Sequence, residues 1–61
     1  SEKEVAWSKQ IIEAFTEAQG RGEGVVLVDG KLIENLHVED AKRSVALAEA
    51  IEEMAAANTA A

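Results

Sequence analysis

The amino-acid sequence predicts a small α+β domain built as helix, β-hairpin, helix, and three observations predict it. Apolar residues recur at three- and four-residue steps along two long stretches, the pattern of helices with one packing face. Between them lies Val25-Val26-Leu27-Val28, a short, mostly β-branched run that suits a strand. Asp29-Gly30 follows it, a pair that supplies the two positive φ angles of a two-residue hairpin turn. The expected boundaries are a helix over about residues 2–19, a hairpin over about 25–33 and a second helix over about 36–55, in one domain spanning 1–61.

The first helix has a clear start. Ser1 and Glu4 have the spacing of a capping box, in which each side chain satisfies a backbone N–H of the opening turn. Val5, Ser8, Ile11, Ile12, Phe15 and Ala18 fall on one stripe, while Glu2, Lys9, Glu13 and Glu17 face away. Trp7 lies off the centre of that stripe and widens the apolar face beyond what one facing helix would cover. Gly20 is expected to close the helix in the left-handed region, with Gly22 and Gly24 in the loop that follows.

The run 25–28 does not alternate with polar residues, so a strand covered on both sides is expected, and Lys31-Leu32-Ile33 returns beside it. Such a minimal hairpin is marginal alone and must lean on the helices or on another molecule. Asn35 is the expected cap of the second helix, with Leu36 first inside it and Glu39 and Asp40 in its first turn, where the helix dipole favours carboxylates. Its packing stripe is Val38, Ala41, Val45, Ala48, Ile51 and Ala55, widened by Leu47 and Met54. From Ala55 onward no large side chain anchors the chain, and fraying is expected.

Composition narrows the function classes. Two aromatic residues, Trp7 and Phe15, and many alanines make a thin core for 61 residues, so support from a partner surface is expected. Without cysteine there is neither a disulfide framework nor a thiolate metal site, and a cytoplasmic setting is the default. The longest uninterrupted apolar run before the alanine-rich tail has four residues, far from the roughly 20 that span a bilayer. Twelve acidic against six basic residues, a net charge of −6, repel phosphate backbones and anionic lipids, so no nucleic-acid or membrane partner is expected.

No nucleophile elbow, phosphate-binding loop or paired-histidine metal motif is present. Gly20, Gly22 and Gly24 precede a strand rather than open a helix, which makes them a structural loop, not a phosphate cradle. His37, the single histidine, could shuttle protons but reads first as a partly exposed residue of the second helix's opening turn. The candidate catalytic groups are two carboxylates flanking the second strand. Asp29 has a structural task in the turn, whereas Glu34 has no evident one and stands immediately before a helix N-terminus.

The segment Gly22-Glu23-Gly24-Val25-Val26-Leu27-Val28-Asp29-Gly30-Lys31-Leu32-Ile33-Glu34 precedes a helix carrying Val38, Ala41 and Ala48, and follows Ile12-Glu13-Ala14-Phe15. It resembles the C-terminal segment of the HpcH/HpaI aldolase and citrate-lyase-β-like family, in particular its malyl-CoA (β-methylmalyl-CoA) lyases. The resemblance spans roughly residues 8–52 and is moderately specific, since each part is common but their order is not. It implies that this chain is the C-terminal extension of a TIM-barrel enzyme whose barrel lies outside it, a lid closing over the active site of a neighbouring subunit in a homo-oligomer, trimer or hexamer. It implies cleavage or formation of a carbon–carbon bond in a 3-hydroxyacyl-CoA, as in malyl-CoA giving acetyl-CoA and glyoxylate, with Mg²⁺ and the CoA thioester held by the barrel.

In that family a lid carboxylate, usually aspartate, acts on the acetyl-CoA methyl group or its enolate, and Glu34 is the matching position. Glutamate keeps the functional group on an arm one methylene longer, and Leu36 stands where relatives often have proline. The isolated 61-residue piece is expected to be inactive. The alternative reading is a free-standing protein-interaction or dimerisation module without catalysis, burying Trp7 and the second helix's apolar face.

Overall fold

Ser1 does begin a helix: its hydroxyl accepts from the Glu4 N–H at 3.3 Å, while the Glu4 carboxylate stands 3.8 Å from the Ser1 nitrogen, an ion pair rather than the second hydrogen bond of a full capping box. The computed structural model describes residues 1–60, arranged as α1 (Glu2–Gly20), β1 (Val26–Val28), β2 (Lys31–Ile33) and α2 (Asn35–Ala60). The expected helix–hairpin–helix architecture is what the chain adopts, with the two helices in contact side by side. They run antiparallel: Val5 lines a groove with Ala48 and Ile51, and Ser8 and Ile11 line another with Ala41 and Ser44.

The end of α1 corrects the expected cap. Gly20 is still helical, Arg21 is the cap residue, and the left-handed position falls two residues later at Gly22, with φ +79°. Glu23 N–H donates to the Ala18 carbonyl and Gly22 N–H to that of Gln19, both at 2.9 Å, which is the Schellman pairing. Only the glycine that follows the cap needs a positive φ, so Gly20 is free to finish the helix. Beyond the cap, Arg21 Nε donates to Glu23 at 2.8 Å, and that bond raises the guanidinium pKa above its ordinary value.

β1 and β2 pair antiparallel, Val26 with Ile33, Leu27 with Leu32 and Val28 with Lys31. The register leaves Asp29 and Gly30 as the two loop residues, with φ +49° and +76°, the signs a type I′ turn requires. Val25 lies outside the strand. Coverage on both faces does not occur. Val28 and Ile33 are buried and Val26 half-buried on the side facing the helices, whereas Leu27 and Leu32 stand 70% and 52% exposed on the other. Two helices from one chain can cover only one face of a hairpin, and side chains alternate faces along a strand whatever their polarity.

The core gathers Ile11 and Phe15 of α1, Val28 and Ile33 of the hairpin, and Val38 and Ala41 of α2, with Trp7, Ile12, Ala14 and Val26 against its edge. Every residue of the stripe expected for α1 is buried or half-buried. In α2 the stripe holds only for its first half. Val38 and Ala41 are buried, Val45 and Ala48 half-buried, and Leu47, Ile51 and Met54 exposed. The reason is length: at about 1.5 Å per residue the 26 residues of α2 reach about 39 Å against about 29 Å for the 19 of α1, so α2 runs past its partner. Nor does the chain leave the helix at Ala55. Alanine has the highest intrinsic helix propensity, which favours the continuation of α2 to Ala60.

The cap assignment has a direct test in two glycine substitutions, since a Cβ at either Gly20 or Gly22 meets nothing within 4 Å. Gly22→Ala should destabilise the protein by about 1 kcal/mol through its positive φ, while Gly20→Ala, within the helix, should stabilise it by about 0.5–1 kcal/mol. Urea denaturation of both variants separates a cap at Gly22 from one at Gly20.

Candidate functional site

β2 passes into α2 without a linker. Ile33, its last residue, is buried, Asn35 is already helical, and Glu34 is the single residue between them. The Glu34 carbonyl accepts from the His37 and Val38 N–H groups at 3.0 and 3.3 Å, the bonds that start the helix. Glu34 is thus the capping residue and Asn35 the first helical one, one position earlier than the sequence suggested. Glu39 and Asp40 consequently fall in the second turn, where they lie beside Lys42 and Arg43.

The Glu34 N–H donates to His37 Nδ1 at 2.9 Å. In a capping box the residue three positions into the helix reaches back to the N–H of the cap, a place usually held by glutamate or glutamine; here an imidazole fills it. An imidazole nitrogen that accepts carries no proton, so this bond leaves the proton of neutral His37 on Nε2. Sequence reasoning missed this task, and the missing signal was register: with Asn35 taken as the cap, His37 is one residue out of place for it.

Glu34 is exposed, and its carboxylate has no hydrogen-bond or ion-pair partner among the described residues. Asp29 is exposed at the tip of the hairpin. The two candidate carboxylates sit at opposite ends of β2, roughly 10 Å or more apart for a three-residue strand at about 3.3 Å per residue, and the fold does not bring them together. What it does bring together lies between β2 and the two helices. A groove of about 330 Å³ is lined by Trp7, Ser8, Lys31, His37, Asp40 and Ser44, among others. Lys31 Nζ stands 5.4 Å above the Trp7 ring, so the residue read as widening the apolar face of α1 packs half-buried against the hairpin's cation.

Among the described residues no three histidine, cysteine, aspartate or glutamate side chains converge to hold a metal, and no helix is long and apolar enough to cross a membrane. A free carboxylate on a capped strand-to-helix junction can take or give a proton at a bound molecule.

Two curated proteins from strains of Cereibacter sphaeroides, each named (3S)-malyl-CoA thioesterase, match this chain at 47% identity over 51 residues, 84% of its length. The chain is similar to malyl-CoA thioesterases. It spans 18% of the length of these relatives. No family model and no solved structure matches it.

The Trp7–Lys31 stack offers a direct measurement at the groove. A double-mutant cycle with Lys31→Ala and Trp7→Leu should return a coupling of about 0.5 kcal/mol, the scale of an exposed cation–π pair, and zero coupling would show that the contact contributes nothing.

Proposed function

We propose that this chain is the lid of a larger enzyme acting on a malyl-CoA-type thioester, with the Glu34 carboxylate as the acid or base on the lid. The observation that carries the proposal is the match over 84% of this chain to malyl-CoA thioesterases of which it spans only 18%. The uncovered apolar surfaces support the same reading: Leu27 and Leu32 on the hairpin, with Leu47, Ile51 and Met54 on α2, need a larger body to cover them. That body, in this proposal, is the enzyme's own barrel together with a neighbouring subunit of a homo-oligomer.

In the carbon–carbon lyase reading, malyl-CoA yields acetyl-CoA and glyoxylate. A base on the barrel takes the proton of the 3-hydroxyl group, the bond between C2 and C3 breaks, and its electron pair passes to C2 as the enolate of acetyl-CoA. Glu34, protonated, then delivers a proton to that carbon to make the methyl group; in the reverse direction its carboxylate removes one. A carboxylate on a lid meets the substrate only when the lid closes, and closure also excludes water from the enolate. The CoA thioester belongs on the barrel in this reading, and so does Mg²⁺. The name thioesterase borne by the relatives favours a second reaction on the same substrate, hydrolysis of the thioester to malate and free CoA.

The test is Glu34→Gln in the full-length protein, with malyl-CoA as substrate. Turnover should fall at least about a hundredfold, the usual contribution of a positioned proton donor or acceptor. Turnover at the wild-type level would remove the role of Glu34. Glyoxylate among the wild-type products assigns the lyase reaction, and free thiol without glyoxylate assigns hydrolysis.

A further inference from the structure

We infer that His37 is the positioning residue of Glu34: its imidazole takes over the capping of α2 so that the Glu34 backbone is fixed in place and its carboxylate left unbound. The inference rests on the lid reading above and adds to it how one residue can be both a helix cap and a chemical group. An acidic residue at a helix start ordinarily turns its own carboxylate onto the N–H groups of the first turn. At Glu34 that does not happen, and its carboxylate has no partner among the described residues.

The capping is done around the carboxylate instead. Glu34 N–H is held by His37 Nδ1 at 2.9 Å, and the Glu34 carbonyl is held by the His37 and Val38 N–H groups at 3.0 and 3.3 Å. On either side the chain is anchored in the core, by Ile33 at 5% exposure and Val38 at 3%. Both backbone polar groups of Glu34 are therefore bonded and both flanks are buried, while the carboxylate alone remains available. Of these hydrogen bonds only the one to His37 comes from a side chain, so it is the one a substitution can remove without disturbing the core. His37 is itself exposed, and changes there leave packing intact.

Glutamine and methionine have nearly the same shape, but only glutamine offers a strong acceptor to the Glu34 N–H. In the full-length enzyme, His37→Met should lower kcat about ten- to a hundredfold with KM within about twofold, as expected when a reacting group is displaced by a fraction of an ångström to an ångström. His37→Gln should keep kcat within about threefold of wild type. In a Glu34→Gln background, His37→Met should change the residual rate by less than about twofold, because the group being positioned is gone.

Unchanged kcat in His37→Met, beside a loss in Glu34→Gln, would overturn the positioning role and leave the lid reading standing. An equal loss from His37→Met in both backgrounds would overturn it too, showing a structural effect unrelated to Glu34. Wild-type turnover in Glu34→Gln would instead remove the reading on which the inference rests. Should His37→Met fail to fold, His37→Ala beside His37→Gln makes the same comparison.

Discussion

The packing of Phe15 against Val28, Ile33 and Val38 is the contact on which the rest of this small fold depends. It draws one residue from each strand and one from each helix into a common cluster with Ile11 and Ala41. A two-stranded hairpin is marginal in water, and these few side chains hold it to the helix pair. They also decide which way the hairpin faces. With Val28 and Ile33 turned inward, the pairing of Leu27 with Leu32 is necessarily turned outward.

The same contact sets the geometry of the strand-to-helix junction. Ile33 and Val38 are both buried, and the four residues between them must turn the chain from extended to helical. No flexible linker absorbs that change of direction, so the turn is stabilised by hydrogen bonds around one residue, Glu34. Here the restriction arises from the main chain, and the side chain keeps the freedom to meet another molecule.

The elements of the fold were legible in the sequence because each was announced by a local device. Ser1 opened α1, Asp29-Gly30 turned the hairpin, and the spacing of Ile11, Phe15 and Ala18 marked the buried face. Glu34 was visible as a carboxylate before a helix. The two caps that were missed share one cause: devices that look alike residue by residue were placed at the wrong register. Gly20 and Gly22 are both plausible caps, and Asn35 is a better capping residue than Glu34 by preference, so the choice was made by hydrogen bonds that a sequence does not display. The outward turn of Leu27 and Leu32 was hidden for another reason. Apolar content suggests a covered face, but whether a cover exists within the chain depends on how many elements there are to supply it.

The unequal length of the helices has a consequence for how the chain opens. Near Glu34, α2 is held by a capped first turn, a buried valine and the hairpin; from Ile51 to Asn58 its residues are exposed, and there the propensity of alanine favours the helix. Protection of its amides against hydrogen exchange should therefore decline along the helix from Val38 toward Asn58, with the far end opening and closing independently of global unfolding. The distal turns can thus melt and re-form, or adapt to whatever surface they meet, while the junction at the other end keeps its shape.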